Sequence, residues 1–178
     1  GITGITKANP AVVTYAGGDN FEFDYSKIRP AGVPIRTFGG ISGGYKPLEE
    51  LHLGIKKVLD INIGQSLTIT SIADIINMIG RAVVSGNVRR SAELLIGENI
   101  DEFLTLKEYE TRPERQDWAW ASNNSIEAIL GMDYSSVAKQ TSVRGEPGFI
   151  FIENMKKYGR IREEDANYRD FRVSGANP

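Results

Sequence analysis

Residues 71–96 read Ser71-Ile72-Ala73-Asp74-Ile75-Ile76-Asn77-Met78-Ile79-Gly80-Arg81-Ala82-Val83-Val84-Ser85-Gly86-Asn87-Val88-Arg89-Arg90-Ser91-Ala92-Glu93-Leu94-Leu95-Ile96. Ser71 to Asp74 resembles a capping box, which would open a helix. Ile72, Ile75, Ile76, Ile79 and Val83 then repeat at i, i+3, i+4, i+7 and i+11, the period of one helix face. Gly86-Asn87 is a helix stop, and residues 91–96 read as a strand. A helix delivered by a short loop into a strand is the repeating unit of an α/β fold.

The alternation continues outward from this run. Pro47 suits the first turn of an earlier helix, with Glu49 and Glu50 at its positive end and Lys56 and Lys57 at its negative end. Leu48, Leu51, Ile55, Val58 and Leu59 form its apolar stripe. Further upstream, residues 11–15 and the alternating Phe21-Glu22-Phe23-Asp24-Tyr25 read as strands. Pro30 and Pro34 keep residues 29–36 out of helix, and Phe38-Gly39-Gly40-Ile41-Ser42-Gly43-Gly44 follows as a flexible glycine loop. Downstream, the pattern predicts a short helix over 101–109, a charged connector over 112–117 and a strand at Trp118-Ala119-Trp120-Ala121-Ser122. A helix over 133–142, an apolar segment over 148–152 and a solvated loop over 160–172 complete the chain. The fold class is α/β.

Composition narrows the function. The chain has 178 residues, 40% hydrophobic and 25% charged, with a net charge of −2, which suits one soluble globular domain. It holds no cysteine, so no disulfide, thiolate metal site or cysteine nucleophile lies within it. A single histidine, His52, excludes a histidine-rich metal cage, and no metal ligand set is expected. The near-neutral charge argues against a nucleic-acid binder. No window is apolar enough for a membrane span, and Gly1 to Gly4 shows no signal-peptide start. A start without Met and an end at Asn177-Pro178 suggest a fragment of a longer protein.

Two loops are candidates for ligand contact. The Gly39–Gly44 loop offers backbone N–H groups for an anion nest, with Arg36 upstream to pair with phosphate, although a plain turn explains it as well. Asn87-Val88-Arg89-Arg90-Ser91 sets two guanidiniums between a helix and a strand. They either complement the helix dipole or hold a nucleotide phosphate or base, and spacing leaves both open. Trp118 and Trp120 read as core, Asn123 and Asn124 as turn formers, His52 as a partly buried structural histidine and Glu146 as part of a turn.

The order of these blocks resembles the large catalytic chain of the ribonucleotide reductases, most closely the adenosylcobalamin-dependent ribonucleoside-triphosphate reductases. Asp24-Tyr25-Ser26-Lys27-Ile28-Arg29-Pro30-Ala31-Gly32, the glycine loop, Ala73–Gly80 and Val84–Glu93 carry the resemblance. Trp120–Ser125, Gly145-Glu146-Pro147-Gly148 and Gly175-Ala176-Asn177-Pro178 extend it over almost the whole chain. The resemblance implies the middle part of a ten-stranded α/β barrel, residues 1–178, ending just before a finger-loop cysteine. It implies a parent enzyme that reduces ribonucleoside triphosphates by a thiyl-radical mechanism for DNA synthesis. Adenosylcobalamin would be bound mostly outside these residues, a thioredoxin-type dithiol would supply electrons, and the enzyme would be cytoplasmic.

Residue by residue, the resemblance makes Arg36 and Ser42 candidate contacts of a deoxynucleoside triphosphate effector. It makes Asn87, Arg89, Arg90 and Ser91 the loop that relays effector identity to the substrate base. Asn177 matches the Asn of an Asn-x-Cys-x-Glu motif and would orient the substrate ribose. None of the reacting thiols lies in residues 1–178, so the fragment alone would be inactive. A diphosphate-using reductase of the same family and a nucleotide-binding regulatory module without chemistry are the alternatives.

Overall fold

The structure is a computed structural model that describes residues 23–37, 39–86, 91–158 and 169–176. The expected strand at 11–15, Phe21 and Glu22, and most of the 160–172 loop lie outside the described residues.

Two helices come first, α1 (Lys46–Ile61) and α2 (Ile69–Val83). They lead into β1 (Glu93–Gly97), a one-turn helix α3 (Asp101–Leu104) and two 3-10 turns, Pro113–Asp117 and Ala119–Ala121. Next come β2 (Ser122–Glu127), α4 (Ser135–Arg144), β3 (Gly148–Ile150) and α5 (Ile152–Tyr158). The strands form one parallel sheet in the order β1-β2-β3, with Glu93 opposite Ser122 and Ser125 opposite Gly148. Parallel neighbours need crossovers, which α3 with the 3-10 turns and then α4 supply. Ala73, Phe103, Leu104, Leu106, Ile126 and Val137 form the core, where α2, α3 and α4 meet the sheet.

The α/β reading of the sequence holds, with corrections of detail. The α2 cap is Thr68, whose hydroxyl accepts the Ser71 N–H at 3.0 Å, so the helix begins before the expected capping box. Asp74 is thereby freed for another partner. The isoleucine stripe is not the buried face: Ile72, Ile79 and Val83 are exposed, whereas Ala73, Asn77, Met78 and Gly80 are buried. Small Ala73 and Gly80 let neighbouring elements approach the α2 backbone, which turns the bulkier face outward. Helix α1 runs one turn past Lys57. Its end is closed by the Asn62 side chain, which donates to the Val58 carbonyl, while Lys56 pairs with Asp60.

The charged connector is a 3-10 turn with Arg115 only 1% exposed, because Asp74 neutralises its guanidinium. Trp118–Ser122 is not a strand. Trp120 folds back to donate to the Asp117 carbonyl, and Trp118 donates to Asp74, so the strand starts only at Ser122. Asn123 and Asn124 therefore sit within β2 rather than in a turn. Trp120 is 54% exposed and is not core. Phe23 to Tyr25 form no strand; instead the Phe23 ring stacks on His52 at 3.9 Å and Tyr25 bonds its Nδ1 at 2.9 Å. That contact gives His52 the structural role expected of it. The 101–109 helix shrinks to one turn at 101–104.

Candidate functional site

The described part of the glycine loop, Gly39 to Gly44, belongs to a hairpin. Pro34 and Ile41 form an antiparallel bridge, the Ser42 N–H bonds the Val33 carbonyl and the Gly32 N–H bonds the Ser42 carbonyl. Gly39 and Gly40 turn the chain with φ of 73° and 75°, a region that L side chains rarely adopt. The Gly39 N–H is spent on Ile35, and the Gly44 N–H on the Ser42 hydroxyl. That hydroxyl also donates to the Arg29 carbonyl at 2.9 Å, so Ser42 shapes the loop with both of its roles engaged. Arg36 stands exposed near the tip with no ion-pair partner among the described residues.

The base of this hairpin packs on the end of α2. A Cβ at Gly43 would lie 2.5 Å from Ser85 Oγ, so only glycine permits this approach. Ser85 and Gly86 immediately precede the Asn87–Ser91 segment, of which only Ser91 is among the described residues. Beside them lies a cavity of about 390 Å³ between α1, α2 and the second 3-10 turn, lined by Leu51, Met78, Arg81, Ser85, Trp118 and Trp120 among others. Arg81 and Glu50 form an ion pair of 2.5 Å among these lining residues. The cavity lining mixes apolar side chains with a few polar groups.

A second polar group of side chains spans the start of the sheet. Lys107 Nζ pairs with Glu146 at 2.7 Å and donates to the Ser122 carbonyl at 2.5 Å. Glu146 also accepts the Asn124 N–H, and buried Ser122 donates to Asn124 Oδ1. Burial and then the Glu146 charge raise the Tyr109 hydroxyl above its ordinary pKa. Glu146 thus joins the start of β2 to the turn before β3, a structural task. At the first residue of β1, burial raises the Glu93 carboxyl from its ordinary pKa, while a hydrogen bond from the Gly80 backbone acts in the opposite sense.

Of the residues singled out from sequence, Arg36, Ser42 and Ser91 are described. Asn87, Arg89, Arg90 and Asn177 lie outside the described residues. Sequence reasoning missed the place of Trp120 and Arg81 at the cavity and the setting of Glu93. Their signals are tertiary, apart from the helix-interior Gly80 that marks a close approach.

The comparisons fit this geometry. No protein-family model matches the chain. An adenosylcobalamin-dependent ribonucleoside-triphosphate reductase from Euglena gracilis is 50% identical over 158 residues, 88% of this chain and 22% of that protein. A probable enzyme of the same name from Dictyostelium discoideum is 47% identical over 157 residues, 88% of this chain and 21% of that protein. One from Lacticaseibacillus paracasei is 39% identical over 170 residues, 94% of this chain and 22% of that protein. A crystal structure of a B-12-dependent, class II ribonucleotide reductase superposes with a TM-score of 0.65 at 36% identity, covering 79% of this chain and 19% of that one.

Fold and sequence together make the chain a homologue of a segment of the ribonucleotide reductases. Within them, it matches the adenosylcobalamin-dependent ribonucleoside-triphosphate reductases. The chain spans about a fifth of the length of the curated relatives it matches.

The described residues do not by themselves fit the cofactor in those relatives' names. Two cavities among the described residues measure about 390 and 500 Å³. A corrinoid is far larger than the drug-sized molecules that fill pockets of about 300–1,000 Å³. Among the described residues there is no cluster of His, Cys, Asp or Glu that could hold a metal ion, and no helix is long and apolar enough to cross a membrane.

Proposed function

We propose that residues 1–178 are the middle part of the ten-stranded catalytic barrel of an adenosylcobalamin-dependent ribonucleotide reductase. The parent enzyme reduces ribonucleoside triphosphates to deoxyribonucleoside triphosphates for DNA synthesis in the cytoplasm. The observation that carries this reading is the continuous similarity, 39–50% identity over 88–94% of the chain, to reductases of that name. The meeting of the glycine hairpin and the α2 end at Gly43 and Ser85 supports a shared nucleotide-responsive site.

In this reading the reaction runs through a thiyl radical, and a thioredoxin-type dithiol supplies the electrons. The thiols lie outside a chain that has no cysteine, so the segment alone is inactive. Its share is shape and effector response. A deoxynucleoside triphosphate effector is met by exposed Arg36 on a loop shaped by Ser42. Asn87, Arg89, Arg90 and Ser91 relay its identity to the substrate base, and Asn177 orients the substrate ribose. Guanidiniums suit this task because their planar donor forks match phosphate oxygens.

The test is reduction of the four ribonucleotides by the full-length protein, with and without added deoxynucleotides. Arg89→Ala and Arg90→Ala disturb the redistribution of activity among substrates. Wild-type redistribution in both variants would remove the relay role. Activity on diphosphates alone would move the enzyme to the diphosphate-using branch, and no reduction at all would leave a regulatory module.

A further inference from the structure

Strand β2 has a core side and an open side. Ser122, Asn124 and Ile126 are buried, whereas Asn123 and Glu127 are exposed and Ser125 is half-buried. The parallel register sets Leu94 and Ile96 of β1 beside Asn123 and Ser125, and Gly148 and Ile150 of β3 beside Ser125 and Glu127. The open side is therefore a polar stripe, with about 6.6 Å from one side chain to the next, running between margins that carry no polar side chain. Parallel strands covered by protein on both faces read as apolar runs, and β2 does not. Among the described residues, the side chains of Asn123, Ser125 and Glu127 have no hydrogen-bond or ion-pair partner.

The backbone around Asn123 is held from the core side. The Ser122 carbonyl accepts Lys107 Nζ, the Asn124 N–H donates to Glu146, and Lys107 pairs with Glu146 at 2.7 Å. Ser122 Oγ donates to Asn124 Oδ1. Four buried or half-buried polar side chains thus fix the residues on either side of one unpartnered amide, as a preorganised contact group requires. Two rungs along, Gly148 keeps Ser125 uncrowded, because a Cβ there would lie 3.3 Å from the hydroxyl oxygen. The segment 169–176 borders the same side: a Cβ at Gly175 would lie 3.5 Å from Ile96 Cδ1. That contact closes one margin and leaves Asn123 exposed.

The chemistry of the stripe selects its ligand. An amide, a hydroxyl and a carboxylate offer acceptors at every step and donors at two, with no Lys or Arg among them. A phosphate finds no cation here and meets the Glu127 carboxylate. A sugar fits, because its hydroxyls both donate and accept while its C–H groups pack on Leu94 and Ile96. We propose that the open side of β2 is a sugar-binding wall, in which Asn123 and Ser125 hydrogen-bond the ribose of the nucleotide substrate. This rests on the reductase reading, which supplies the sugar.

The experiment uses the full-length reductase at a saturating effector. It measures substrate KM, inhibition constants of substrate analogues that each lack one ribose hydroxyl, and thermal melting. Asn123→Ala and Ser125→Ala each raise the substrate KM by about 2–12-fold, the range for one lost hydrogen bond, with wild-type melting. The analogue without the hydroxyl that Asn123 meets inhibits Asn123→Ala as well as it inhibits wild type, since that contact is absent from both. If Asn123→Ala does not fold, Ser125→Ala, which loses a single hydroxyl, decides. Wild-type KM in both folded variants overturns the sugar wall alone. So does lower melting at unchanged KM, which would mean that the rest of the polypeptide covers the stripe, and so does an equal weakening of substrate and every analogue. A folded full-length wild type that reduces no ribonucleotide overturns the reductase reading beneath it.

Discussion

Asp74 of α2 and Arg115 of the first 3-10 turn form a buried ion pair, with Arg115 Nη2 2.7 Å from Asp74 Oδ1. Arg115 Nε donates to the same oxygen at 2.8 Å, Trp118 Nε1 donates to it at 2.8 Å, and Arg115 Nη1 donates to the Leu106 carbonyl. One carboxylate oxygen thus fastens the 3-10 turn and the cavity-lining Trp118 to helix α2.

Breaking that pair leaves a buried charge without its partner. Arg115→Ala is expected to destabilise the full protein by about 3–5 kcal/mol, the usual cost of removing one member of a buried pair. Asp74→Asn retains an acceptor for Trp118 and lowers stability less. Thermal unfolding of the two variants beside wild type gives the order directly.

The α2 cap allows a milder test. Thr68→Ala removes the acceptor for the Ser71 N–H and costs about 1 kcal/mol, whereas Thr68→Ser keeps the acceptor and stays near wild type. The same melting experiment reads both.

Gly43 and Ser85 offer a rescue test of whether the two loops act together. A methyl group at residue 43 would lie 2.5 Å from Ser85 Oγ, so Gly43→Ala pushes the hairpin off the α2 end. The expected result is a weaker effector-driven change in substrate preference with the effector-free rate retained. Adding Ser85→Gly removes the obstructing atoms and restores part of the response. Equal responses in wild type and Gly43→Ala would separate the two loops functionally.

The pH dependence of stability follows from Glu93. Its folded pKa is raised, so the unfolded state gives up the proton first as pH rises. The contribution of Glu93 is complete below the ordinary carboxyl value of about 4.3 and is lost as pH climbs through the raised folded value. In Glu93→Gln this slope disappears. Melting temperatures of the two proteins, measured across that window, should converge at the acid end and part above it.

Much of the fold was legible because periodicity reports burial on one element at a time. Pro47 with the Leu48–Leu59 stripe, the Ile72–Val83 repeat and the β-type run before Gly97 located α1, α2 and β1 to within a few residues. What failed depended on partners distant in sequence. Residues 112–117 look solvated until Asp74 is placed opposite Arg115, and Trp120 looks like core until its indole is seen bonding back to Asp117. The isoleucine stripe of α2 gave the helix but the wrong face, because close packing on Ala73 and Gly80 favours small residues. At the candidate site, Arg36 and Ser42 stand on the hairpin that the glycines foretold, but its seat on Ser85 could not be read from spacing. Glu93 was hidden for the same reason: a carboxyl at a strand start looks ordinary until Gly80 covers it.

The most direct measurement is a ribonucleotide reduction assay of the full-length protein that contains this chain, with a dithiol reductant, in the presence and absence of adenosylcobalamin. The account predicts deoxyribonucleotide product from ribonucleoside triphosphates only when adenosylcobalamin is added. No product with the cofactor present, or the same yield without it, would contradict it.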